Sequence, residues 1–107
     1  MILRSWHGAV PLQHGDAFEQ YLQTTGVSEA SALDGNLGAF VKRIEQDDHV
    51  HFFLLTYWNG WDAIHAFAGA EPHIAVTYPQ DRKYGLISDP IVLHQEVASM
   101  SPWFGES

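Results

Sequence analysis

The sequence predicts one α+β domain, an antiparallel sheet with helices on one face, and three observations carry that expectation. Four segments read as strands, at residues 2–10, 37–45, 49–58 and 91–98. Between them lie two short stretches whose apolar residues recur at helical spacing. The chain has 107 residues, enough for one core and no second. The domain is expected to span residues 1–98, followed by a tail at 99–107 in which Trp103 and Phe104 suggest docking.

The first strand ends at Pro11. Asp16 opens a helix whose Ala17, Phe18, Tyr21 and Leu22 share one face, with Gly26 as its C-cap. Small residues from Ser28 to Asn36 read as a loop. In the second strand Phe40, Lys42 and Ile44 alternate with Ala39, Val41 and Arg43. The turn Gln46-Asp47-Asp48 joins it to the third strand as a hairpin. Asn59-Gly60 stops the third strand. Trp61 then opens a helix that places Ala63, Ile64 and Phe67 together. Residues 71–76 are expected to add a helical turn after Pro72, residues 78–87 to form a loop, and Pro90 to open the last strand. The order βαββαβ is the ferredoxin-like layout. The third strand is apolar on both faces, Phe52 and Leu54 on one, Phe53, Leu55 and Tyr57 on the other. The helices cover one face, and the expected cover for the other is a second copy, giving a homodimeric α/β barrel.

Composition excludes several functions. Thirteen acidic residues against five Lys and Arg leave a charge of −8, too little cation for a nucleic-acid face or a polybasic membrane patch. Without cysteine there is no disulfide, thiol nucleophile, iron–sulfur cluster or thiolate zinc site. No apolar run approaches the ~18 residues of a membrane span, and the N-terminus does not read as a signal peptide, so a cytoplasmic protein is expected. Gly35-Asn-Leu-Gly38 is no phosphate or dinucleotide loop, which speaks against NAD, FAD or ATP.

The stretches Ile2-Leu-Arg-Ser-Trp-His-Gly, Gly38-Ala-Phe-Val, Phe52-Phe-Leu-Leu-Thr-Tyr-Trp and Asp62-Ala-Ile-His-Ala-Phe-Ala resemble the antibiotic biosynthesis monooxygenase branch of the dimeric α/β-barrel superfamily. The resemblance runs over nearly the whole chain, and Trp58 to Phe67 is its most recognisable part. It implies fold more than activity, because the superfamily spans oxygenases, haem degraders, isomerases and proteins with no known reaction. Haem degraders of this group use a first-strand Asn and a His on the helix after the third strand. Trp6 and His7 stand where that Asn would be, the His position falls near Thr77, and His73 is displaced from it. Haem, and with it any cofactor, is therefore not expected. The resemblance to cofactor-independent, quinone-forming oxygenases implies an apolar cavity, a proton acceptor and donors for a phenolate.

The residues that could fill those roles are few. His94 and His7 are candidate bases because imidazole titrates near neutrality; each could equally be a satisfied structural His. Trp58, Tyr57 and Trp6 are candidate walls for an aromatic ligand, or simply core. Tyr78 and Arg82 belong to a polar loop cluster with Asp81 and Tyr84. Arg4 and Arg43 could hold an anionic oxygen or pair with nearby carboxylates. His49 and His51 have ligand spacing but lack a third ligand, so no metal is expected and exposed polar residues are the default. Two functions stay open: a monooxygenase acting on a small aromatic or quinone-type compound, and a non-catalytic dimeric binding or scaffold module. The first predicts a cavity of roughly 300 Å³ or more with two convergent polar groups; the second predicts a filled interior.

Overall fold

Two strands whose residues alternate between a buried and a half-buried face, strictly in one and up to Gly8 in the other, form the middle of the sheet. The computed structural model describes residues 1–97; the end of the last strand at Ala98 and the tail with Trp103 and Phe104 lie outside the described residues. Strand β1 (Ile2–Pro11) pairs antiparallel with β3 (His49–Trp58) along its whole length, from Ile2 opposite Trp58 to Pro11 opposite His49. Strand β2 (Asn36–Gln46) flanks β3 on the other side, and β4 (Ile87–Ser88) and β5 (Leu93–Glu96) both flank β1. The hairpin β2–β3 turns at Asp47 and Asp48, both at positive φ, the two-residue loop that matches strand twist. Asp tolerates that conformation better than most residues.

The period of two sorts the side chains. Val50, Phe52, Leu54, Thr56 and Trp58 of β3 are buried together with Ile2, Arg4, Trp6 and Val10 of β1. Phe18 and Leu22 of helix α1 (Gly15–Leu22) pack on one half of this layer, and Ile64 of α3 (Trp61–Ala68) on the other. On the opposite face, His49, His51, Phe53, Leu55 and Tyr57 stay half-buried, and Phe40 is 50% and Leu93 68% exposed. Both helices lie on one face, as the order of elements predicts.

Four local expectations are corrected. Gly26 does not end the first helix: a wide π turn, Gln23–Val27, and a further helical turn, α2 (Ser28–Ser31), carry it on, and the expected loop shrinks accordingly. Gly26 is buried because a Cβ there would sit 3.0 Å from Leu54 Cδ2, so its lack of a side chain serves packing rather than capping. The Thr24 and Thr25 hydroxyls donate to the Tyr21 carbonyl and take up an acceptor at the widened turn. Residues 71–76 form no helix. The Ala75 N–H donates to the Pro90 carbonyl, the Val92 N–H to the His73 carbonyl, and Ile74 bridges Ile91. Because residues 90–92 pair with 73–75 instead of β1, the last strand, expected from residue 91, begins at Leu93 as β5, and a separate short piece, β4, pairs with β1 before that break. The 78–87 segment is not wholly irregular either: Asp81–Tyr84 is a 3-10 turn.

Gly15 tests how tightly α1 meets the sheet. A Cβ there would lie 2.6 Å from Val50 Cγ2 in the core. Helix propensity favours Ala over Gly by about 0.5–1 kcal/mol, whereas overpacking against a stiff, buried valine costs about 1–3 kcal/mol. Gly15→Ala is expected to lower the denaturation midpoint; a variant as stable as the parent would show that α1 can shift off the sheet.

Candidate functional site

Arg4 is the exception in an otherwise apolar layer. Strand alternation turns it inward with Ile2 and Trp6, leaving it 3% exposed. Its Nη2 donates to the carbonyls of Pro72 and Ile74, at 3.3 and 3.5 Å, and Nε has no partner. The guanidinium lies 5.3 Å from the centre of the Phe67 ring of α3. Among the described residues no carboxylate pairs with it. Arg43, by contrast, is held by Asp16, Glu19 and Glu45. Taking a guanidinium out of water without a counter-ion costs several kcal/mol. Burial lowers the pKa of Arg4 to about 10, so the group stays charged at neutral pH.

Arg4 borders a small cavity between sheet and helices. Trp6, Phe67, Tyr78, Asp81 and Leu86 are among its other walls, with Thr25 and Gly26 contributed by the π turn. Its volume is about 30 Å³, room for about two waters. That is far below the expected 300 Å³, yet the two convergent polar groups are present. The Tyr78 hydroxyl is buried and has no hydrogen-bond partner. Burial, with the nearby Glu29 and Asp81 charges, pushes its pKa up to about 12, so it is a donor at neutral pH. Asp81 Oδ2 accepts a hydrogen bond from the Tyr78 N–H, and burial raises the pKa of its carboxyl. The wall carrying Tyr78 and Asp81 is fastened to α1: the Gln80 N–H donates to the Tyr21 hydroxyl at 3.2 Å, and Tyr84 packs on Tyr21 and Phe18.

Of the residues singled out from the sequence, the cavity brings together Trp6 and Tyr78, with Arg4 and Asp81. Trp6 also donates from Nε1 to the Ser88 hydroxyl. Trp58 is fully buried in the core, donating to the Thr56 hydroxyl and stacked on Phe67, and does not reach the cavity. Arg82 is exposed on the 3-10 turn and does not line the cavity. Tyr57 stands on the opposite face of the sheet, against Phe40. His7 is on that face too: Nδ1 contacts Asp89 and Nε2 contacts His51 Nδ1, both at 2.9 Å. Asp89 and His51 can therefore saturate both nitrogens of His7, and His51 is half-buried rather than exposed. No cluster of three metal-ligating side chains occurs among the described residues.

His94 faces the helices, opposite Arg4 in register, with its ring 5.0 Å from that of Trp61. Its Nε2 is buried without a partner, and it stands behind Arg4 rather than on the cavity wall. Burial, then Arg4, then His73 lower its pKa. The two candidate bases thus lie on opposite faces and do not form one site. Sequence reasoning passed over Phe67 as a wall and Thr25 altogether; the inward phase of Arg4 between two apolar residues was the available signal for the cavity.

The His94 shift has a consequence for stability. The unfolded chain binds a proton near pH 6.5, before the folded chain does, so this group makes the fold less stable as pH drops below about 6.5. His94→Gln is expected to flatten the fall of melting temperature between about pH 7 and 5. Parallel curves for parent and variant would show that His94 titrates as it does in the unfolded chain.

At the level of sequence, no family model and no curated protein matches the chain. Solved structures match it closely in shape. A Deinococcus radiodurans protein described as an antibiotic biosynthesis monooxygenase superposes with a TM-score of 0.64 at 17% identity, covering 94% of this chain and 96% of that one. A variant of MhuD with two manganese protoporphyrin IX molecules bound per active site gives 0.62 at 17% identity, covering 94% and 98%. PA3566 from Pseudomonas aeruginosa gives 0.56 at 16% identity, covering 94% and 97%. A porphyrin does not suit the cavity described here: no imidazole lines it, and its volume is a fraction of the ~300 Å³ of a drug-sized pocket. The resemblance read from the sequence thus holds for the fold: this chain has the ferredoxin-like fold of antibiotic biosynthesis monooxygenase-like structures.

Proposed function

We propose that the chain is a cofactor-independent monooxygenase of the antibiotic biosynthesis type, acting on a small aromatic or quinone-type compound at the Arg4–Tyr78 cavity. One observation carries this reading: an inward guanidinium and a tyrosyl hydroxyl, both with unpartnered buried atoms, border the same apolar cavity. Such donors stabilise an aromatic oxyanion as it forms, and the apolar walls strengthen them by excluding water. Asp81 takes the place given to His94 and His7 from sequence, since its carboxylate is on the cavity wall and its raised pKa makes it a better proton acceptor. For an anthrone, the deprotonated substrate passes electrons to dioxygen; one oxygen atom becomes the new carbonyl and the other leaves as water. Substrate entry requires the wall at residues 76–86 to move outward, because the space present seats little more than a head group.

A second reading, a non-catalytic binding module, is favoured by that same small volume. Oxygen uptake with a panel of hydroquinones and anthrones separates the two. Turnover that falls at least about tenfold in Asp81→Asn, without loss of fold, is the expected result. A flat oxygen trace on every compound would leave the binding module.

We also infer a homodimer through the sheet face that carries Phe53, Leu55 and Leu93, and a cytoplasmic location. The dimer is supported by the exposed apolar side chains of that face, the location by the absence of cysteine. No helix among the described residues is long and apolar enough to cross a membrane. Sedimentation at micromolar concentration is expected to give twice the mass of the chain, and a clean monomer would rule the pairing out.

A further inference from the structure

We propose that the Arg4–Tyr78 cavity is a carboxylate-binding site, so that its natural ligand arrives already ionised. This inference uses the cavity assigned above but does not depend on oxygen chemistry there. A phenol reaching the site neutral would leave Arg4 without a counter-charge until a proton had been removed. The guanidinium, however, is charged and buried before any ligand enters. Two backbone carbonyls satisfy only Nη2, and Nε remains unpartnered. Tyr78 adds a hydroxyl that, at neutral pH, donates and cannot compete as an anion. A carboxylate can accept from both, and pairing with a guanidinium in an apolar setting is the geometry in which Arg is most selective.

The size of the cavity agrees with this assignment. A space of about 30 Å³ holds roughly two waters, comparable to the two oxygens of a carboxylate. The rest of the ligand would lie toward Phe67 and Leu86, which make that part of the wall apolar. Asp81 is the one carboxylate among the lining residues. It accepts the Tyr78 N–H and forms no ion pair with Arg4, so it borders the site without neutralising it. Glu29 acts on Tyr78 from the helical side, and His73 and His94 stand behind Arg4.

The test compares ionised ligands with neutral ligands of the same shape: acetate against acetamide and benzoate against benzamide. Binding to the full chain is measured by calorimetry at pH 7, in low-chloride buffer and without oxygen. Benzoate or acetate is expected to bind at least about tenfold more tightly than its amide. Arg4→Met is expected to erase that difference, and Tyr78→Phe to reduce it several-fold. Arg4→Met should also melt higher than the parent, because it removes an uncompensated buried charge; a merely structural Arg4 would make it melt lower. Equal affinity for acid and amide, or full carboxylate preference in Tyr78→Phe together with a less stable Arg4→Met, would overturn the assignment. Oxygen uptake without carboxylate preference would sink this inference alone, while carboxylate binding without oxygen uptake would sink only the oxygenase reading.

Discussion

The antiparallel pairing of β1 with β3 is the constraint from which the other features follow. Its register runs unbroken from Ile2–Trp58 to Pro11–His49. Because side chains alternate with a period of two, that one register decides the face on which every residue of both strands lies. Slipping it by a single residue would turn one strand's inward row outward, taking either Phe52 and Trp58 or Arg4 and Trp6 out of the core. The helices, the cavity and the half-buried outer face are consequences of this pairing.

The cavity expresses a conflict between burial and charge. Arg4 lies in the same inward row as Ile2 and Trp6, and among the described residues two carbonyls and the Phe67 ring face it but no carboxylate pairs with it. Proteins hold such arrangements at a cost in stability, and a functional site is where that cost is ordinarily met. The same burial acts in different directions on its neighbours. It lowers the proton affinity of Arg4 and His94 and raises that of Tyr78 and Asp81, in every case by disfavouring the charged form. Arg4, Tyr78 and Asp81 around the cavity, and His94 behind Arg4, are thereby all biased toward neutrality, and Arg4 stays charged because its intrinsic basicity is so high.

Much of the fold was legible because it is written in local pattern. The continuous apolar run from His49 to Trp58, the alternation around Phe40 to Ile44, and the helical spacing of Ala63, Ile64 and Phe67 each correspond to an observed element. What escaped depends on distant contacts. Gly26 carries the local signature of a helix end, yet Leu54 from β3 determines its role. Residues 90–92 have strand-like composition, and only their bonds to 73–75 explain why β1 lost them. In the site, Trp6 and Tyr78 were recognised as types suited to a ligand, and they do meet. Arg82 and Arg4 are the same residue type; whether an arginine faces solvent or an interior follows from the phase of its strand or turn, and the loop around Arg82 has no readable phase.

The division of the last strand makes the two edges of the sheet unlike. Beside β1, two pieces of two and four residues, separated by a turn containing Pro90, offer no continuous row of backbone donors and acceptors. At the other edge, β2 runs for eleven residues and, among the described residues, has a partner on one side only. A foreign strand adding to this protein, whether a peptide or another misfolding molecule, would therefore enter beside β2. Lys42, Arg43 and Glu45 stand along that edge, and such charges are the usual guard against aggregation. Resistance to runaway sheet growth thus rests on one proline-interrupted edge and one charged edge, two different solutions in the same small domain.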